Sequence, residues 1–260
     1  PIRSSAASDV YKRQIITYLI LVIFIIAGIL FFLTRVPAVQ DALFQRLAQN
    51  LISTAPNIFP EEDSLSALVC GSKSPLPHPT RAETCVMIKA GEETFIFDVG
   101  NKSIDNLRNW RVPLNQLNSI FISHLHSDHI AELPEIHMWN WIGTGRQSKL
   151  KVYGPEGINQ VLNGFTEAFS LDWKYRNDHH GDKFAPLKAA GFDGYEITDF
   201  SDPVYESNGI VITAFLVDHK PIDPSLAFKI EYKGRSIVLS GDTIYSCLLY
   251  TSDAADDLIG

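Results

Sequence analysis

Between residues 123 and 129 the chain reads Ser-His-Leu-His-Ser-Asp-His, and no other stretch limits so tightly what the whole can become. It follows Asn118-Ser119-Ile120-Phe121-Ile122, a run expected to be a buried strand, and precedes Ile130-Ala131-Glu132-Leu133, expected to open a helix. The histidines therefore belong on a strand-to-helix loop. His124, His126, Asp128 and His129 put three imidazoles and one carboxylate within six residues. Such nitrogen and oxygen donors hold zinc at roughly 2.0–2.2 Å. Two metals suit the spacing: His124 and His126 can point to one while Asp128 and His129 turn toward another. A polar loop with chance histidines, or a single structural zinc, is the plainer alternative, but eight histidines in 260 residues seldom place three in one such window.

Both ends read differently from the middle. The opening Ser4–Gln14 and the closing Cys247–Asp257 can be encoded by reverse complements of one DNA segment, as transposase end sequences are. Residues 1–14 and 247–260 are therefore expected to be sequencing adapter and not protein. Ile15–Leu33 is nineteen residues without a charge, long enough as a helix to span roughly 28 Å, against a bilayer core near 30 Å. Residues 15–34 are expected to be one transmembrane helix; a cleaved signal peptide is the competing reading, although its apolar part is usually shorter. Residues 35–63 follow as a juxtamembrane amphipathic helix, with Val39, Leu43, Phe44, Leu47 and Leu51 at helical spacing, and a linker holding Pro56 and Pro60. The net charge of −8 gives no general footprint for nucleic acid. Cys70 and Cys85 either pair in an oxidising compartment or are two buried thiols; without a denser cysteine pattern the thiol reading is preferred.

From Ser64 the chain alternates strands and helices, the pattern of an α/β domain. Leu65–Cys70 is an expected strand, Cys85–Ala90 and Thr94–Val99 a hairpin, and Lys149–Tyr153 a further strand before an expected helix over 156–171. Asp98, at a strand end, is either an Asx-turn former or, beside a histidine-rich loop, a carboxylate that accepts a ligand's ring N–H and fixes its tautomer. His137 is expected in the core. His179 and His180, in a polar stretch, are substrate-facing or merely solvated. Ile210–His219 ends in a histidine, and the strand Ser236–Ser240 runs into Gly241-Asp242-Thr243.

The run His124–His129 resembles the H-x-H-x-D-H signature of the metallo-β-lactamase superfamily. Val217-Asp218-His219 and Ser240-Gly241-Asp242-Thr243 are similar to the next two metal motifs of its ribonuclease Z and arylsulfatase-like branch, and Gly71-Ser72-Lys73-Ser74-Pro75-Leu76-Pro77 to a turn of that branch, with Lys73 where the branch commonly has glycine. The resemblance covers residues 64–246 and implies an αββα sandwich, incomplete at its C-terminus. It also implies two Zn2+ ions: His124, His126 and His219 on one, Asp128 and His129 on the other, Asp242 bridging both. The branch's last metal histidine and its proton donor are expected beyond residue 246. The implied activity is zinc-dependent hydrolysis by a metal-activated hydroxide, with Asp128 and Asp242 as catalytic carboxylates. A small phosphate or sulfate ester is the expected substrate and the membrane a partner through the N-terminal helix, the domain lying outside the cytoplasm. A ribonuclease Z-type tRNA 3′ endonuclease is the alternative, with nucleic acid not favoured for want of a long basic arm. A noncatalytic, membrane-anchored zinc-binding module is the alternative of another class.

Overall fold

The computed structural model describes residues 3–53, 58–60 and 63–245; residues 247–260 lie outside them. The chain divides into two compact units, Pro1–Leu51 and Ile52–Gly260. The first contains α1 (Arg3–Leu33) and α2 (Pro37–Ser53). Val10–Leu33, within α1, is a 24-residue stretch holding an 18-residue window of mean hydropathy 3.0, none of which is buried among the described residues. Its length and composition are those of a membrane-crossing helix and equally of a signal sequence.

The second unit is built on two sheets. β1 (Leu65–Gly71), β2 (Cys85–Ala90), β3 (Glu93–Phe97), β4 (Leu117–Phe121), β5 (Leu150–Gly154) and β6 (Phe192–Glu196) form one sheet in that order. Its first three strands are antiparallel, and β3 to β6 are parallel. Parallel neighbours need crossovers. These are α3 (Ser103–Asn109), then α4 (Ser127–Ile130) with α5 (Leu133–Thr144), then α6 (Ile158–His180). β7 (Tyr205–Ser207), β8 (Ile210–His219), β9 (Ile222–Tyr232) and β10 (Arg235–Leu239) make an antiparallel second sheet in the order β10-β9-β8-β7.

Side chains that alternate along the strands produce two cores. Met87, Ile96, Ile120, Ile122 and Val152 share one core with Ile104, Leu107, Ile136, Trp141 and Leu162 of the helices. Ile88, Phe95, Phe97 and Phe121, on the opposite face, meet Ile212, Ala214, Leu226, Phe228 and Ile230 of the second sheet. The described residues thus supply helix, sheet and sheet of the expected αββα sandwich. Phe97, Phe121, Tyr153 and Tyr195 stack across four parallel strands with centroids 5.0, 4.8 and 4.7 Å apart.

Two expectations are corrected. Cys70 and Cys85 are a disulfide, with Cα atoms 5.0 Å apart. They sit on adjacent antiparallel strands where the register shifts between Val69 and Gly71, a neighbourhood that the spacing along the chain does not reveal. Closing a loop of that length is worth about 3 kcal/mol in the chain-entropy picture. Second, α6 does not stop at Leu171 but runs to His180. Its polar half is carried by the i,i+4 pairs Asp172–Arg176 and Lys174–Asp178, with Trp173 turned into the core, until Gly181 leaves the helix at φ +78°.

His137 is a core residue, as expected: it is 1% exposed, packs on Trp141, Trp173 and Phe192, and its Nε2 accepts the Gly191 N–H at 2.8 Å. Burial pushes its pKa down from 6.5 to about 4. Between those values the unfolded chain binds the extra proton, so the contribution to stability is complete above about pH 6.5 and is lost as pH falls toward 4, roughly 3 kcal/mol in total. The urea midpoint is therefore expected to drop between pH 7 and pH 5, and to drop less in His137→Gln; an identical pH dependence in the variant would refute this source.

Candidate metal centre

The C-terminal ends of the parallel strands share one edge of the first sheet, the edge where ligands bind in open α/β sheets. β4 ends at Phe121, the backbone continues through Ile122, whose N–H donates to Tyr153 O at 2.8 Å, and the histidine loop follows at once. Leu226 of β9 donates its N–H to Ser123 O at 2.9 Å, joining the second sheet to the same loop. Two glycines permit this crowding. A Cβ at Gly100 would stand 2.1 Å from Asp128 O, and one at Gly241 (φ +57°) would stand 2.6 Å from Leu226 O.

The structure brings His124, His126, Asp128, His129, His219 and Asp242 together. Ligand atoms of His124, His126 and His219 lie within 4.8 Å of one another, as do those of His124, His129 and Asp242. Asp128 Oδ2 is 3.7 Å from His129 Nε2. Asp242 divides its two oxygens: Oδ1 is 3.7 Å from His129 Nε2, and Oδ2 is 3.9 Å from His219 Nε2. His124 and His129 are fully buried, with ring centroids 4.0 Å apart, whereas His126 is exposed.

Asp98 stands behind these groups. Its Oδ1 accepts the Ser123 N–H at 2.8 Å, and its Oδ2 accepts the Ser123 hydroxyl at 2.8 Å and the His129 Nδ1–H at 2.9 Å. In the neutral ring that bond leaves the lone pair on Nε2. Ser123 Oγ also lies 3.2 Å from His124 Nδ1.

Whether these donors fit cations can be read from what the protein leaves unmatched. His129 Nε2 and His219 Nε2 are buried without a hydrogen-bond partner, an arrangement that costs free energy unless something accepts the lone pair. His124 Nε2 and His126 Nδ1 face each other at 2.9 Å. A cation resolves all of these contacts, so the donor set fits. Electrostatics separates the two groups. Burial, reinforced by His129, holds His124 down to about 3, so it presents a neutral ring. Burial also pulls on His129, but the Asp242 carboxylate, 3.7 Å from Nε2, and the Asp98 carboxylate bonded to Nδ1 outweigh it and raise His129 to about 10. The Asp242 carboxyl is in turn lowered, chiefly by His129 beside it. A cation at His129 would take the place of that proton.

A family model described as "Anti-Pycsar protein Apyc1" matches residues 69–258. The chain belongs to the Apyc1 family. Ribonuclease Z of Mycobacterium marinum is 34% identical over 176 residues, which are 67% of this chain and 61% of that protein. Ribonuclease Z of Mycobacterium bovis is 32% identical over 182 residues, 69% of this chain and 63% of that protein. The chain thus spans about three fifths of these relatives. Among solved structures, the short form of human tRNase Z (ELAC1) superposes with a TM-score of 0.52 at 22% identity, over 68% of each chain. The metallo-β-lactamase fold protein YhfI of Bacillus subtilis gives 0.51 at 19%, over 72% of this chain and 66% of that one. This Apyc1-family member has the metallo-β-lactamase fold.

His179 and His180 are not brought to the centre. They end α6, their rings 4.6 Å apart, and His180 packs on Phe184 at 5.4 Å. Three groups near the centre escaped the sequence reading. Ser123 carries a weak signal, being the polar residue between an apolar strand and the first histidine. Glu83 accepts Lys73 Nζ–H at 2.7 Å and Asn101 N–H at 2.9 Å, so the charge of Lys73 is paired. Glu132 follows the last histidine by three residues, and nothing local marks it. Replacing Asp98 by Asn keeps the shape but puts an amide where His129 and Ser123 need acceptors. Cation affinity in competition with a chelator is expected to fall about 10–100-fold; an unchanged affinity would remove Asp98 from the site.

Proposed function

We propose that this chain carries the metal centre of a dinuclear zinc hydrolase acting on phosphate esters. The observation that carries the reading is the division of Asp242 between His129 and His219, which suits a carboxylate shared by two cations. Imidazole and carboxylate donors favour zinc. A cation pair supplies Lewis acidity and an activated water for in-line attack on an ester. The chain's own residues do the rest. His124, His126 and His219 form one cup, Asp128 and His129 a second, and Asp242 spans them. Asp98 and Ser123 hold the buried rings in one tautomer. Asp128 and Asp242 are the carboxylates available to orient the attacking water.

The relatives named ribonuclease Z support a phosphodiester as the bond cleaved, and tRNA 3′ processing is a reading of equal standing with a small ester. The chain's charge of −8 favours the small ester, because phosphate-rich polymers are bound through excess positive charge. Metal-loaded protein is expected to hydrolyse bis(p-nitrophenyl) phosphate, to lose that activity on chelation and to regain it with Zn2+. Turnover of precursor tRNA but not of the small diester would select the endonuclease, turnover of p-nitrophenyl sulfate alone would select a sulfatase, and turnover of none with cation bound would select a binding module. His126→Ala, at an exposed position, is expected to abolish turnover without changing the thermal midpoint. Retained turnover would refute its role.

We further propose that the domain is membrane-anchored and lies outside the cytoplasm. The apolar Val10–Leu33 helix supports the anchor, and the Cys70–Cys85 disulfide supports an oxidising compartment. In membranes prepared with a thiol block, a maleimide probe should label these cysteines only after reduction. Labelling without reductant would count against the placement.

A further inference from the structure

The segment Asp98–Lys102 carries the carboxylate that orients His129, and it does not hold its shape alone. Asp98 (φ +59°) and Lys102 (φ +67°), at its two ends, both take the left-handed conformation that residues with a side chain rarely adopt. Surrounding groups over-determine it instead. Asp98 N–H donates to Phe121 O at 2.9 Å, Val99 N–H to His129 O at 2.8 Å and Gly100 N–H to Thr84 O at 3.0 Å. Asn101 N–H goes to Glu83 Oε2 at 2.9 Å and Lys102 N–H to Glu132 Oε1 at 2.5 Å.

Like His129 O, Glu132 joins this segment to the chain that carries the histidines, but it does so with its side chain as well as its backbone. Its own N–H donates to Val99 O at 2.9 Å, and its Oε2 accepts the Ile104 N–H at 2.7 Å. Its carboxylate and backbone therefore grip the segment on both sides of Gly100, three residues after His129. Lys102 offers no side-chain cap to α3, so the Glu132 carboxylate takes up backbone donors that would otherwise be unmatched.

We propose that Glu132 is a positioning residue for the cation held through His129: by clamping the Asp98–Lys102 segment to the histidine loop, it fixes Asp98 against His129 Nδ1. The proposal rests on the dinuclear reading, and it separates the two cation positions. His129 is bonded to Asp98 directly, whereas His124 is reached only through Ser123, and His126 and His219 stand further along the centre, so the clamp acts first on the His129 position.

Cobalt(II) titration of the purified protein, followed by visible absorbance and calorimetry, tests it without using turnover. Glu132→Gln keeps the side chain's length but turns an amide NH2 toward backbone N–H groups. The expected result is a loss of at least about tenfold in affinity for the cation bound through His129, the range found for groups that orient a metal ligand, with the other position changed less than twofold. In the double variant with Asp98→Asn the two losses should not add, because Glu132 acts through Asp98. Equal losses at both positions, fully additive losses, or no loss would overturn the proposal alone. A wild-type protein that takes up no cation through His129 would overturn it together with the dinuclear reading. Should Glu132→Gln fail to fold, Lys102→Gly relieves the left-handed strain in the same variant. Recovered folding with the His129 cation still weak supports the positioning role, and recovery of both reduces Glu132 to a structural strut.

Discussion

One buried carboxylate, Asp98, receives three hydrogen bonds from two residues of the histidine loop. Burying such a charge costs several kcal/mol unless donors surround it, and here the donors are the Ser123 backbone, the Ser123 hydroxyl and a ring of the centre itself. The carboxylate thereby sets the direction of the His129 lone pair. Its backbone N–H is tied to Phe121 O of β4 and its neighbour Val99 to His129 O, so sheet, loop and ring share one frame. Displacing any of the three shifts the others, and a cation site tolerates little displacement.

The two halves of the centre meet a cation under different electrostatic conditions. His124 is already neutral, held so by burial and by its histidine neighbours, while His129 competes for a proton held between Asp98 and Asp242. One centre, shared by the two sheets, thus presents a cup with a neutral His124 beside a cup that must first give up a proton. The carboxylates that hold the proton are those that would neutralise the incoming charge.

Much of this was legible before the structure. Alternating side chains in Phe95-Ile96-Phe97 and Ile120-Phe121-Ile122 announce strands covered on both faces, and the histidine cluster announces its loop, because both patterns are local. What remained hidden depends on contacts between distant segments. The Cys70–Cys85 disulfide needed the register shift in β1, which no composition reveals. The second half of α6 reads as polar and irregular, yet ion pairs one turn apart and a single inward Trp173 keep it helical. The separation of His179 and His180 from the centre followed from that extension, which carries them away along the helix. Glu132 has no motif of its own; its importance comes from a segment some thirty residues earlier.

The candidate ligands do not all come from one layer. His124, His126, Asp128 and His129 follow β4 of the first sheet, whereas His219 ends β8 and Asp242 follows β10 of the second. A cation seated among them is therefore a rivet between the layers, and the order of synthesis gives it a schedule. The first sheet and its histidine loop leave the ribosome well before the chain that completes the cup, so a nascent chain offers only a partial claim on metal. A cation held by all of these groups would reach full affinity only when the second sheet docks across the aromatic face of the first, and its retention would then be a chemical record that the sandwich has closed.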